Sequence, residues 1–358
     1  MSRKNLPVLV IAPNLKRRWS GVTSTIFRLL PLQARRLAIV CVGPGLPADL
    51  PQISWSTLLM LPRRKRRVWH ARRNIEMLVG IILRRIFRKN LALVFTSAAQ
   101  RHHTGYTRWL IRQMERVIAT SKGSASFLDV PSRVIMHGID CTRFVPASDR
   151  ASVRADLDLP ENAFLIGCFG RVREQKGTDI FVQALIEAAR DHPDLVGIVI
   201  GQTTSNNEPF LEELRARVQN AGLEDRILFL GEQPDAKLPS FFASLDLFIA
   251  PQRWEGFGLT PIEAMASGVP VLASTAGAFS EMVIEGETGH ILDPMTPEAL
   301  STAIRVAAAD RDRLRVMGQN ARADVLERFN IEREAAEIEE VYQELLPEET
   351  APFVAEQS

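Results

Sequence analysis

Cysteine is nearly absent: there are three in 358 residues, Cys41, Cys141 and Cys168, far apart and without paired spacing. That excludes a disulfide frame and a cysteine-built zinc site, and it fits isolated thiols in a reducing compartment. Long uncharged apolar runs are missing too. The longest in the basic region, Met77 to Leu83, is too short to cross a bilayer. The opening Met1-Ser-Arg-Lys leads into a short strand ending near Ala12, not into the apolar core of a signal peptide, so a cytoplasmic chain is expected. No internal repeat is present. Acidic residues are scarce in the first part alone. Residues 1–150 hold 27 Lys/Arg against 6 Asp/Glu, a net +21, and the remainder 17 against 36, a net −19. The overall charge of +2 therefore conceals two bodies of opposite sign, which implies different partners.

What is present is ordinary for a soluble protein, with 46% hydrophobic and 24% charged residues. A chain of this length can bury two separate cores. Strand-like runs alternate with amphipathic helical segments: 6–12, 37–42, 91–95 and 117–121 in the first half, then 164–170, 195–201, 226–231, 247–251 and 269–274. Alternation of this kind predicts parallel sheets with helices on both faces, an α/β architecture. Residues 53–61 read as a further strand, and the segment following Arg63-Arg-Lys-Arg-Arg67 as one helix to Asn90. The polar, proline-bearing run Pro146–Arg150 is the expected hinge between domains 1–150 and 151–330. Helices are expected over 297–327 and 331–346, with disorder beyond Pro347.

Between residues 63 and 89 stand eleven basic residues and one acid, Glu76. A solvated helix face usually mixes signs, so this excess calls for an anionic partner. Anionic lipid attracts such clusters by about 1 kcal/mol per engaged Lys/Arg. An acidic glycolipid alone is the second reading. Nucleic acid, disfavoured because no nucleic-acid motif accompanies the cluster, or no partner at all completes the readings. The expectation is a peripheral position on the inner face of the cytoplasmic membrane, with no nucleic acid bound.

The chain is organised around PQRWEGFGLTPIEAMA, residues 251–266. A strand ending at Pro251 feeds a turn at Gly256 and Gly258, and Thr260-Pro-Ile-Glu263 opens a helix, with Thr260 expected as the cap and Pro261 as the first helical residue. Amides gathered at a helix start favour a phosphate. Glu255 and Glu263 bracket those amides, and carboxylates accept hydrogen bonds from sugar hydroxyls, so a nucleotide-sugar would satisfy the whole stretch. On spacing alone, a capping-box Glu263 and a solvated Glu255 fit equally well. A second loop, Arg171-Val-Arg-Glu-Gln-Lys176-Gly177, brings two cations after another strand. In the first half the strand 91–95 ends in Thr96-Ser97, and Arg101-His102-His103 follow. Side chains just past such strand ends face the crevice of a doubly wound sheet. There His102 or His103 could orient or deprotonate a hydroxyl, or the two could be a surface pair without a role.

EGFGLTPIE resembles the E-x7-E motif of the retaining glycosyltransferases of family 4, which have the GT-B fold. The likeness extends to Gly170-Arg171 through Lys176-Gly177, to Gly277–Glu281 with Ala278 in place of a glycine, and to Gly286–Leu292, so that it covers most of residues 160–295. It implies two Rossmann-like domains facing a cleft, the first for the acceptor and the second for the donor, with the final helix crossing back onto the first. By the same resemblance Glu255 contacts the donor sugar and Glu263 the ribose, and the amides of Gly256, Phe257, Gly258 and Leu259 hold the diphosphate. Arg171 and Lys176 neutralise the leaving group without a metal or cofactor. The implied reaction proceeds on one face of the sugar, with the acceptor proton passing to the leaving phosphate and no enzymic nucleophile. Only fragments of the first half match. Ser20-Gly21 stands for a glycine-rich loop that would bring Gly21 to the donor. His137-Gly138 stand where the family has Asn-Gly, which implies that His137 lies near the diphosphate or caps a turn. Thr96 stands where relatives often have a histidine, and whether His102 or His103 replaces it is open. The stretch VFTSAAQRHHTGYTRWLI is similar to bacterial lipopolysaccharide core mannosyltransferases, which implies GDP-mannose as donor and an anionic glycolipid as acceptor. A UDP-sugar-dependent hexosyltransferase, an epimerase or soluble-polymer synthase of the same fold, and a non-catalytic membrane-bound scaffold are the alternatives.

Overall fold

The computed structural model describes residues 8–16 and 21–347. The readings made on Leu6, Pro7 and Ser20 and on the residues after Pro347 lie outside that range. The chain divides into two compact units, Met1–His137 with Ile331–Ser358, and Gly138–Asn330.

In the first unit, strands β1 (Val10–Pro13), β2 (Ile39–Val42), β3 (Arg67–Ala71), β4 (Leu91–Ser97), β5 (Arg116–Ala119) and β6 (Arg133–Val134) form one parallel sheet of order β2-β1-β3-β4-β5-β6. Between them run helices α1 (Gly21–Gln33), α2 (Trp55–Met60), α3 (Asn74–Arg85), α4 (Gly105–Ile111) and α5 (Lys122–Ala125). Two sequence readings are corrected here. The helix expected after the arginine run divides, because Arg67-Val-Trp-His-Ala71 is a wholly buried strand and only the part from Asn74 is helical. Trp69 fills the space beneath α3 and its Nε1 donates to the Glu76 carbonyl at 2.9 Å, an anchor that needs tertiary packing and leaves no local signature. Residues 53–61, read as a strand, carry α2, which starts where Ser54 Oγ accepts from the Thr57 amide at 3.1 Å. Ser121, expected to cap the next helix, does so through a reciprocal capping box with Ser124.

The second unit has strands β7 (Phe164–Phe169), β8 (Leu195–Ile200), β9 (Ile227–Gly231), β10 (Leu247–Ala250), β11 (Val271–Ala273) and β12 (Gly289–Ile291), parallel in the order β12-β11-β10-β7-β8-β9. Its helices are α6 (Arg150–Asp156), α7 (Thr178–Ala188), α8 (Glu208–Asn220), α9 (Leu238–Ala243), α10 (Thr260–Ala266), α11 (Phe279–Met282), α12 (Pro297–Ala309) and α13 (Arg311–Arg328). Phe164, Phe181, Leu185, Leu214 and Ile304 lie in its core. The boundary between the units falls ahead of the Pro146–Arg150 run. Arg322 of α13 donates to the carbonyls of Cys141 (2.9 Å) and Phe144 (2.6 Å), which fastens the segment after His137 to the second unit.

The last helix, α14 (Ile331–Gln343), belongs to the first unit, where it packs against α1. Ile331, Ala335, Ile338 and Tyr342 recur at helical spacing and join the core made by Val10, Ile26, Leu29 and Val94. Its carboxylates, with Glu344 just past its end, meet basic side chains of the same unit: Glu334 pairs with His137, Glu339 with Arg36, Glu340 with Arg133 and Glu344 with Arg116.

Each sheet reverses its winding once. From β7 the chain builds outward through β8 and β9, then returns to place β10 on the other side; in the first sheet the reversal lies between β1 and β3. The loops leaving these strands diverge there, at the carboxyl ends where doubly wound sheets bind ligands.

Candidate active site

At the reversal point of the second sheet, the loops after β7 and β10 face each other. The first makes a short 3₁₀ turn, Glu174–Lys176, and ends at Gly177, whose φ of 71° admits glycine most readily. A Cβ there would sit 2.0 Å from the Pro251 carbonyl oxygen, so this glycine lets the two loops touch. Arg253 then clamps the pair. Its guanidinium binds the Asp179 carboxylate in bidentate fashion at 2.8 and 2.6 Å, and its amide donates to the Gln175 carbonyl at 3.0 Å. Burial alone would raise the Asp179 carboxyl, yet the bond and charge of Arg253 bring it below its usual range.

Held in this way, the Lys176 ammonium meets the Glu255 carboxylate, both side chains about one fifth exposed (19% each). The other Glu255 oxygen accepts from the Gly256 amide at 2.9 Å. One of the amides expected to hold a diphosphate thus already binds a carboxylate. Phe257 is buried, and its carbonyl accepts from Ala278 at 3.1 Å. Gly258 (φ 87°) lies against the Phe279 ring, where a Cβ would approach within 2.3 Å. Arg171 is exposed at the start of the first loop, and Glu263 lies one turn into α10. The helix start is corrected by one residue: Leu259 is the N-cap, without a side-chain bond, and Thr260 and Pro261 are the first helical residues. No capping box forms, which removes the capping explanation for Glu263. Arg171, Lys176, Glu255, Gly256, Phe257, Gly258, Leu259 and Glu263 therefore all lie on the two loops and the helix at one reversal of winding.

The first unit holds the remaining expected residues. His102 packs edge-on against Phe127 at 5.2 Å. His103 is half-buried past β4, and its Nε2 has no partner among the described residues. Burial, then the charge of Arg101, lowers its pKa from 6.5, so the ring is neutral at pH 7. Gly21 is exposed at the first position of α1. His137 Nδ1 lies 2.6 Å from Glu334 in the first turn of α14. Gly138 opens the second unit.

Sequence reasoning missed the polar cluster at the first sheet's reversal point. Glu76, fully buried, accepts from Arg73 at 2.7 Å and from the Arg72 amide at 2.8 Å. Arg73 also donates to Asn14 (2.9 Å) and Thr23 (2.7 Å), so it ties together both flanks of the loop between β1 and α1. A lone acid within an arginine-rich run was the available signal, and it pointed inward.

The family described as Glycosyl transferases group 1 matches residues 149–324. The chain is 52% identical over 344 residues to the lipopolysaccharide core biosynthesis mannosyltransferase LpcC of Rhizobium leguminosarum bv. viciae, covering 95% of this chain and 97% of that one. It is 50% identical over 346 residues to the lipopolysaccharide core biosynthesis mannosyltransferase LpsB of Rhizobium meliloti (strain 1021), covering 95% and 98%. Among solved structures, Anabaena Alr3699/HepE in complex with UDP superposes with a TM-score of 0.81 at 22% identity, covering 94% of this chain and all of that one, a likeness of fold.

Proposed function

The chain belongs to the group 1 glycosyltransferases of GT-B fold, and from that premise we propose that it moves a mannosyl unit from GDP-mannose onto a lipopolysaccharide core or another anionic glycolipid, with retention of configuration. The observation that carries this reading is the meeting of Lys176 with Glu255 at the reversal of the second sheet, with Arg171 and Glu263 on the adjoining loop and helix. A phosphate arriving at Lys176 displaces the Glu255 carboxylate, which then turns to a sugar hydroxyl, while Glu263 takes the ribose. Arg171 and Lys176 place fixed positive charge where the diphosphate departs, and no metal or cofactor is assigned. The bond from C1 to the diphosphate oxygen breaks as that to the acceptor oxygen forms on the same face, and the acceptor proton passes to the leaving phosphate. His103, neutral and half-buried, is assigned to the acceptor hydroxyl, with His102 beside it. Gly21 is kept as a close-approach position. His137 is assigned to holding α14, because Glu334 already engages it.

The mannosyl donor and the core acceptor rest on the names of relatives at 52% and 50% identity. Attachment to an anionic membrane surface rests on what the fold leaves outside. Arg67 and Lys89 turn inward to backbone carbonyls, and Arg66 and Arg84 bind Glu115. Arg63, Arg64, Arg85 and Arg88 stay exposed, close to Met60 (75% exposed) and Ile86 (71%). Lys89 joins these two apolar tips by donating to the Leu59 and Leu61 carbonyls at 2.6 and 2.5 Å. No helix among the described residues is long and apolar enough to cross a membrane.

The test is a nucleotide-sugar panel. GDP-mannose at excess should raise the melting temperature, whereas UDP-hexoses leave it unchanged. Transfer to a core acceptor lacking its mannose should then yield an α-linked product by NMR. Turnover of a UDP-hexose in preference to GDP-mannose would overturn the donor assignment.

A further inference from the structure

The first unit has a cavity of about 720 Å³ at the amino edge of its sheet, opposite the edge assigned to the transfer chemistry. It lies where β5 and β6 begin, at Arg116 and Arg133, and beside the last turns of α4 and α14, at Ile111 and Val341. The size is that of a small-molecule site. Ile111, Met114, Val117, Val130 and Val341 give it apolar walls, and three arginines, Arg112, Arg116 and Arg133, line it as well. The three are not alike. Glu344 holds both Arg116, at 3.2 Å, and Arg133, at 3.6 Å. Glu115, the other acid of the lining, is taken by Arg66 and Arg84 at 2.6 and 3.0 Å. Arg112 is exposed, and its guanidinium has no hydrogen-bond or ion-pair partner among the described residues. Apolar walls beside one unanswered cation fit an anionic amphiphile: a bare hydrocarbon leaves Arg112 unused, and an inorganic anion leaves the walls wet. The source of such a molecule is next to it. In the sheet order β3-β4-β5-β6 the cavity adjoins the segments that lead into β3 and β4, which carry the exposed Met60, Ile86 and arginines. Arg85 donates to the Gln113 side chain at 2.5 Å and Arg84 to the Gln113 carbonyl at 2.9 Å, between the lining residues Arg112 and Met114. The basic face and the cavity thus share a wall.

We propose that this cavity binds one molecule of an anionic phospholipid, with an acyl chain against Met114, Val117, Val130 and Val341 and the phosphate on Arg112. The choice of a phospholipid rests on the reading of the basic face as membrane-facing. The cavity adds stoichiometry to that reading: surface charge holds a protein to a bilayer without selecting a molecule, whereas a walled site takes a single lipid. None of its residues belongs to the transfer chemistry.

The probe is dihexanoyl phosphatidylglycerol, kept below its micelle concentration so that no bilayer is present, titrated into the full chain by calorimetry. Binding should saturate at one lipid per chain. Glycerol 3-phosphate, which has the phosphate without the chains, should bind more weakly by roughly tenfold or more. Arg112→Ala should weaken the phospholipid roughly tenfold, and Arg112→Glu should abolish saturable binding, both at an unchanged melting temperature. Val130→Glu, which sets an acid among the apolar walls, should abolish it too; if that variant does not fold, the Arg112 pair decides. Wild-type affinity in Arg112→Glu, or no saturation in the wild type, would overturn the proposal. A phosphatidylglycerol with a diazirine on its acyl chain should label peptides within residues 111–133 or 331–346, and labelling confined elsewhere would overturn it equally. The membrane reading fails by a different result. A wild-type chain that takes up one short-chain lipid but does not sediment with anionic vesicles refutes that reading and leaves the cavity assigned. Sedimentation without saturable short-chain binding refutes the cavity alone.

Discussion

Lys176 and Glu263 are the side chains on which donor turnover should depend most. Replacing either by Ala is expected to cut transfer by orders of magnitude with the melting temperature nearly unchanged, since both are partly exposed and lie outside the cores. Near-normal transfer would remove the assignment. These residues were legible in the sequence because each stands at a fixed spacing from a glycine or proline that shapes its loop. His70 was not, for a physical reason: its two partners lie 26 and 272 positions away in the chain, so no local pattern announces them. Its burial has a thermodynamic consequence. The folded ring, facing Tyr342, Thr96 and the Arg72 charge, resists protonation well below its ordinary 6.5, whereas the unfolded ring titrates normally. As pH falls through 6.5 the unfolded chain takes up a proton that the folded chain refuses, so stability falls with it. Urea midpoints at pH 8, 6 and 5.5 should decline, and His70→Gln should flatten part of that slope.

At the scale of elements, glycine and alternation were read well and arginine was read badly. The strands of the second unit stand where apolar runs bounded by turn residues put them, because a central parallel strand must be apolar on both faces. The strand Arg67–Ala71 escaped notice because it begins with a buried arginine and contains a buried histidine, residues whose burial only a finished fold can satisfy. Arg67 reaches the carbonyls of Val8, Pro62 and Lys65 at 2.8 to 3.0 Å, and nothing nearby in sequence advertises those acceptors. Likewise α2 holds tryptophan and threonine, which favour strands, and a serine cap overrides them. The loop leading into α7 gives a sharper test. With φ at 71° and the Pro251 carbonyl in the way, Gly177→Ala should destabilise the second unit by more than about 2 kcal/mol and weaken nucleotide-sugar binding, measured by denaturant unfolding and calorimetry.

For the whole molecule, the division of charge seen in the sequence is only partly a matter of outside partners. Carboxylates of α14 and of Glu344 just past it meet Arg36, Arg116 and Arg133 within the first unit, so some of the basic excess is balanced at home. What stays exposed at Arg63, Arg64, Arg85 and Arg88 predicts sedimentation with anionic vesicles that weakens at high salt. The Met60→Asp/Ile86→Asp variant should lose vesicle binding while its thermal stabilisation by GDP-mannose is unchanged. Binding to neutral vesicles alone would point to a different surface. The three cysteines offer a probe of integrity, since all are buried and burial pushes the Cys41 and Cys168 thiols up to about 12. Alkylation at pH 8 should stay slow until the chain unfolds. One consequence of the chain path concerns synthesis. Because α14 closes the core of the first unit, that unit waits on the ribosome, part of its core unfilled, until residues 331–343 have been made, while the later-made second unit already has every residue it needs. The order of birth and the order of completion are thus opposite, and the half made first is the one in longest need of a chaperone.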